Sequence, residues 1–296
     1  MAITLRDSAK NAVLDDGSPA TEGSPTLPIH QSGDLLLVFC YYSRNIADEG
    51  WSSNTAGWEL VTRGQNTAGR DQSIGVFYKF ATSSSESAPV LEVYSGGTSD
   101  FDYMNFISCA YTGVDPRNPF EGVETRLQAN EGDSPNSPGV LTSSDNTRVL
   151  CYVASTHFST TQPTYTAPTG YTIVEQNPVA NFHDNCALAD KAVSTAGYED
   201  PGAWSLSGSD AASELGSITL TLRDESETTA PPAYFIGMNQ EGAASVSSVA
   251  IAVPDGTLDG DLLIAVANQI NVAGRTTTPP AGWTEVTALD VDTTVG

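Results

Sequence analysis

The 296-residue chain carries 36 acidic side chains against 12 Lys and Arg, a formal net charge of −24. That balance opposes binding to nucleic acid, where cations on phosphate supply most of the affinity, and adsorption to an anionic membrane. With Gly 26, Pro 17, only 16% charged residues and no window of apolar residues at helical spacing, the composition predicts an all-β protein with very little helix.

A chain of this length buries roughly 75% of its unfolded surface as one large or two medium domains. An acidic, lysine-poor exterior stays dispersed when salt screens ordinary repulsion, which predicts a saline setting. The first residues, Met1 to Asp7, show no charged segment leading into an apolar one, so no signal peptide is expected. No apolar stretch reaches the roughly 20 residues of a membrane helix. Cys40, Cys109, Cys151 and Cys186 are widely spaced without a CxxC pair; reduced thiols packed as small apolar residues are the expectation, and their spacing fits no zinc pattern.

In chain order, the first strong element is Gly33-Asp34 opening the apolar run Leu35 to Tyr42. A turn followed by a continuous apolar, β-branched and aromatic run reads as a buried strand. Gly57-Trp58 opens a second strand, Phe77 to Thr82 forms a third, Leu91 to Gly96 a fourth, and Ile107 to Tyr111 a fifth. Residues 43–56, 62–72 and 154–168 read as loops at the sandwich ends.

The same series then repeats. Gly57, Gly170 and Gly282 each precede an aromatic residue, 113 and 112 positions apart; Lys79 and Lys191 differ by 112, and Cys40 and Cys151 by 111. Leu91 to Gly96 matches Ala203 to Gly208, and Ile107 to Tyr111 matches Ile218 to Leu222. The unit is about 112 residues: copy one spans about 1–115 and copy two about 116–223. The short connection Gly113 to Phe120 predicts one domain over 1–223, with each copy contributing strands to both sheets; two separate sandwiches are the alternative. Residues 224–233 read as an acidic, Thr/Pro-rich extended linker. Residues 234–296 read as the start of a further repeat. Half a sandwich leaves edges and an apolar face open, so a longer chain, or completion by a partner chain, is expected.

Taken together, Gly33 to Val38, Ala56 to Val61, Phe77 to Thr82, Tyr111 to Phe120, and the closing Ile218 to Arg223 resemble a tandem jelly-roll-like β-sandwich module of tailed-virus virion proteins, also seen in some bacterial surface proteins. The resemblance covers residues 1–223. Copy two departs from it at Asn146-Thr147, in place of Gly-Asp, and at Tyr171, in place of Trp. It implies a non-enzymatic fibre, turret or decoration protein of a virion. Such a protein forms a homo-oligomer, touches capsid or tail proteins and can attach to a host-surface glycan. The alternatives are a carbohydrate-binding adhesin module, or the non-catalytic part of a longer polysaccharide-degrading enzyme.

No catalytic residue, cofactor or metal ligand is assigned. Gly33-Asp34 and Asp15-Asp16-Gly17 read as turns whose Asp caps backbone N–H groups. Asp255 to Asp261 lacks the distal bidentate Glu of a calcium loop. His157 and His183-Asp184 fall on separate loops with no Gly-x-Ser-x-Gly elbow. Trp51, in a polar stretch without a counterpart in the other copies, is the candidate for stacking on a sugar or filling a partner's pocket, with Tyr42 and Arg44 leading into the same stretch.

Overall fold

The computed structural model describes residues 2–14, 20–43, 46–66, 72–95, 103–132, 135–156, 164–178, 184–207 and 212–226. The backbone divides into two compact units, Met1–Gly256 and Thr257–Gly296; the predicted further repeat over 234–296 lies outside the described residues. Every described element is a β-strand, as the turn-rich, non-helical composition predicts.

Copy one supplies β1 (Thr4–Leu14), β2 (Ala20–Gly23), β3 (Leu35–Ser43), β4 (Ile46–Ser53), β5 (Glu59–Asn66), β6 (Gln72–Phe80), β7 (Leu91–Ser95) and β8 (Tyr103–Thr112). Copy two supplies β9 (Phe120–Gly132), β10 (Asn136–Ser137), β11 (Val140–Thr142), β12 (Thr147–Thr156), β13 (Thr164–Thr166) and β14 (Thr172–Pro178). It continues with β15 (Asp184–Val193), β16 (Gly197–Glu199), β17 (Gly202–Ala203), β18 (Ser205–Ser207) and β19 (Ala212–Leu222).

Two five-stranded antiparallel sheets dominate, with orders β1-β8-β3-β6-β5 and β9-β19-β12-β15-β14. Strand for strand these are the same topology. The bulges recur as well: the register shifts at Arg6 in β1 and at Glu121 in β9, and at Val61 in β5 and Val174 in β14. Each sheet draws its strands from one copy alone, which corrects the expectation that each copy feeds both sheets.

The copies join instead through faces. Period-two alternation along β3 sends Leu35, Leu37, Phe39 and Tyr41 to one side, where they meet Leu150, Tyr152, Cys186, Leu188, Ile218 and Leu220 of copy two. Phe39 and Tyr152 stack with ring centroids 5.1 Å apart. Along the flanks β1 lies beside β14, and β5 beside β9. Because β1 corresponds to β9 and β5 to β14, this is the self-complementary contact of a two-fold dimer, here within one chain. Ser8 Oγ donates to the Val174 carbonyl (3.3 Å) and Lys10 pairs with Glu175 (2.9 Å) on one flank; Thr62 and Thr125 hydroxyls meet at 3.0 Å on the other.

The opposite faces are covered locally. In copy one Leu36, Val38, Cys40 and Tyr42 pack beneath the small sheet β2-β7-β4, and in copy two Val149, Cys151 and Val153 pack beneath β13-β18 and its neighbours. All four cysteines are buried and free. Burial pushes the thiols of Cys40 and Cys109 well up and that of Cys151 to about 12, so they stay protonated and unreactive.

Structural equivalence adjusts the alignment within the first strand. Leu36 stands opposite Lys79, and Val149 opposite Lys191, so Val38, and not Cys40, is the counterpart of Cys151. At the start of the segment expected as a linker, Val114 bridges Asp224, and the Glu225 N–H donates to the Gly113 carbonyl at 3.0 Å, tying 224–225 to the body; residues 227–233 lie outside the described residues.

Candidate functional site

The polar residues of the repeated motifs are engaged within the fold. Gly33 takes φ 91°, and its N–H donates to the Ala81 carbonyl (2.7 Å) while the Ala81 N–H donates to the Asp34 carbonyl (2.9 Å). The Asp34 carboxylate accepts the Gln31 N–H (2.7 Å) and a two-pronged contact from Arg6, Nε at 2.5 Å and Nη2 at 3.0 Å. The turn reading of Gly33-Asp34 therefore extends to an ion pair with the bulge residue of β1. In copy two the equivalent bulge residue, Glu121, accepts the N–H groups of Ser143 and Ser144 at 2.9 and 3.1 Å. The bulge reaches the same turn with the opposite chemistry.

At the same end of each sandwich, a Gly-aromatic turn meets a lysine. The Lys79 side chain passes 3.6 Å from where a Cβ on Gly57 would stand, and pairs with Glu86 at 2.6 Å. Lys191 reaches Glu199 at 2.5 Å and lies 5.5 Å from the centre of the Tyr171 ring. The Lys79 ammonium, with Thr82, holds the Glu86 carboxyl down at about 2. Burial raises the Tyr171 hydroxyl, which donates to Glu199 at 3.1 Å. His30 completes the copy-one cluster: its Nε2 accepts the Glu86 N–H (3.1 Å) and its Nδ1 faces the Pro28 carbonyl (2.7 Å). In copy two, Asp145 accepts the Ala196 N–H from the matching loop at 2.8 Å.

The turn of residues 113–120 is fixed by Arg223, which is buried. Its carbonyl accepts the Asp115 N–H (2.9 Å), its N–H donates to the Pro119 carbonyl (3.0 Å), and its guanidinium lies near Asp115 and Glu121.

Of the residues expected to meet a partner, Trp51 is on strand β4 and fully buried, and Tyr42 is buried beside it. The indole Nε1 donates to the Ser73 carbonyl at 3.2 Å, and the ring meets Phe106 edge-on at 5.9 Å. The loop expected over 43–56 thus contains a strand, and the indole expected to stack on a sugar fills the copy-one core. Of the other two expected loops, 62–72 continues strand β5 to Asn66, and 154–168 contains β13. Arg44, His157, His183, Asp15-Asp16-Gly17 and Asp255 to Asp261 lie outside the described residues. Among the described residues no group of three or more His, Cys, Asp or Glu side chains is placed to hold a metal ion.

What sequence reasoning missed is a cluster at the seam between the copies. Arg148 of β12 grips Asp190 of β15 in a fork, Nε at 2.7 Å and Nη2 at 3.0 Å, and Tyr111 of copy one donates its hydroxyl to the same carboxylate at 2.7 Å. The guanidinium also donates to the Ile3 carbonyl (3.2 Å) and lies 5.7 Å from the Tyr111 ring centre. Burial first, then the neighbouring Cys109 and Asp190, raises the Tyr111 hydroxyl. Burial alone would lower Arg148, but the Asp190 hydrogen bond and charge outweigh it and the guanidinium is raised. Above this cluster opens a cleft of about 400 Å³ lined by Leu5, Arg148, Ile173, Val174, Asp190 and Ala192, among others. Only a comparison of Asp190 and Ala192 with their copy-one counterparts could have pointed to it. No known protein family, curated protein or solved structure matches this chain.

Proposed function

We propose that the chain is a non-enzymatic structural protein of a tailed-virus particle, a fibre, turret or decoration component that assembles as a homo-oligomer and contacts other virion proteins. The observation that carries this reading is the ordered motif set, from Gly33-Asp34 to the closing Leu222-Arg223. Its polar members serve as fixtures of a stacked sandwich: Asp34 on Arg6, Lys79 on Glu86 and Lys191 on Glu199. A scaffold whose characteristic residues are spent on turns and seams leaves its outer layers and loop tips for contact, and fold alone assigns no chemistry. An exterior with net charge −24 suppresses non-specific adhesion between particles. The glycan-binding alternative loses its specific support, because Trp51 is buried.

The test is purification of intact particles from infected cultures, followed by quantitative mass spectrometry. The proposal expects the polypeptide at a fixed ratio to the major capsid protein. Recovery of the protein only from particle-free culture overturns it.

A further inference from the structure

The internal two-fold gives the seam cleft a counterpart within the same molecule. Leu35 pairs with Phe80 and Tyr111, and Arg148 with Ala192 and Leu222. Position by position, Asp190 therefore replaces Tyr78, Ala192 replaces Phe80, and Leu5 of copy one stands where Phe120 of copy two stands at the opposite seam. At that opposite seam the space is filled by aromatic rings. Tyr78 and Phe120 meet edge-on at 5.0 Å, and the Tyr78 hydroxyl donates to Glu59 at 2.6 Å. Tyr78, Phe80 and Phe120 on one side thus correspond to Asp190, Ala192 and Leu5 on the other, while Leu35 and Leu222 correspond to Arg148 and Tyr111; the cleft of about 400 Å³ opens at the seam with fewer rings. That volume lies in the range of sites that take small groups, roughly 300–1,000 Å³.

The walls suit the group that is missing. Leu5, Ile173 and Val174 form an apolar side. The Arg148 guanidinium, flat, held by Asp190 and already beside one aromatic ring, Tyr111, lines the same cleft. Guanidinium planes attract aromatic rings to their faces through the ring quadrupole. The charges of Arg148 and Lys191 are matched by Asp190 and Glu199, so the cleft offers no unbalanced charge for a free anion.

We propose that this cleft is a receptor for one aromatic side chain, a Phe or Tyr presented by a partner polypeptide, seated as Tyr78 and Phe120 are seated at the opposite seam. The inference is independent of the virion reading, since it rests on the internal symmetry alone.

The probes are p-cresol and N-acetyl-tyrosinamide, titrated into the full chain with the methyl groups of Leu5, Ile173 and Val174 followed by NMR. Both are expected to shift these methyls saturably, with Kd on the order of 1–10 mM, as suits a ring of this size. Cyclohexanol should bind at least about threefold more weakly, because it has no π face for Arg148. Ala192→Phe restores the copy-one ring and should weaken both probes at least about tenfold. Leu5→Phe closes the cleft from the other wall and should do the same, so a folding failure of either variant leaves the other to decide. Absence of saturable shifts in the native protein, or binding unchanged in a folded variant, overturns the proposal. Binding of p-cresol without N-acetyl-tyrosinamide overturns the polypeptide partner and leaves a small-molecule site.

Discussion

Gly33 and Asn146 hold the same left-handed backbone position in the two copies, with φ of 91° and 57°. Each lies in the turn that leads into the central strand of its sheet, β3 or β12, which pairs with β6 or β15. No atom lies within 4 Å of where a Cβ on Gly33 would stand, so the cost of substitution is in the backbone alone.

Gly33→Ala is accordingly expected to destabilise the protein by about 1–2 kcal/mol. Asn146→Gly should change stability by less than about 1 kcal/mol, since Asn is the side chain that tolerates this region best. Urea denaturation of the two variants measures the asymmetry; equal losses would contradict it.

Asp34 holds both its own turn and Arg6, and its side chain is 3% exposed. Asp34→Ala leaves the Gln31 N–H and a partly buried guanidinium without their acceptor. The expected loss is about 1–3 kcal/mol, mostly for the Gln31 N–H left without its acceptor, read by chemical denaturation. Arg6, with a side chain 29% exposed, should cost less when replaced by Ala, because Asp34 keeps the Gln31 contact.

Trp51 should behave as a core residue. Trp51→Ala is expected to cost about 3–5 kcal/mol, whereas a surface tryptophan would cost little. Protection of the native indole from aqueous quenchers checks the burial without a mutation.

Acid should act through Glu86. Its folded pKa of about 2 lies below the ordinary value of 4.5, so the ionised form is favoured by folding. The resulting stability is fully present above pH 4.5 and is lost as pH falls from there through about 2. The stability gap between native protein and Glu86→Gln should therefore be widest near neutrality and shrink on acidification. A gap that stays constant from about pH 6 to about pH 2.5 contradicts the Lys79–Glu86 assignment.

The layered, repeated architecture was readable because apolar runs such as Leu35 to Tyr42 are long and their turn residues recur at one offset. Such a run shows burial on both sides without saying what covers each face, so the stacking of Phe39 on Tyr152 was not legible. Strand β4 escaped notice because Trp51 is the single large apolar residue after Asp48-Glu49-Gly50. Matching by residue identity misplaced Cys40 against Cys151 by two positions, which preserved the face and hid the error. The bulge contacts of Arg6 and Glu121 stayed hidden because the two copies reach the same turn with opposite charges. The seam cleft comes from residues lost relative to the other copy, and small or polar residues at strand ends carry no signal by themselves.

The central claim is that copies one and two share a single core through Phe39 and Tyr152. Native-state hydrogen exchange on Phe39→Ala tests it most directly. The shared core predicts that amides of β12, in the other copy, lose protection to the same extent as those of β3, within one cooperative unfolding transition. Loss confined to copy one, with β12 protected as in the native protein, would contradict it.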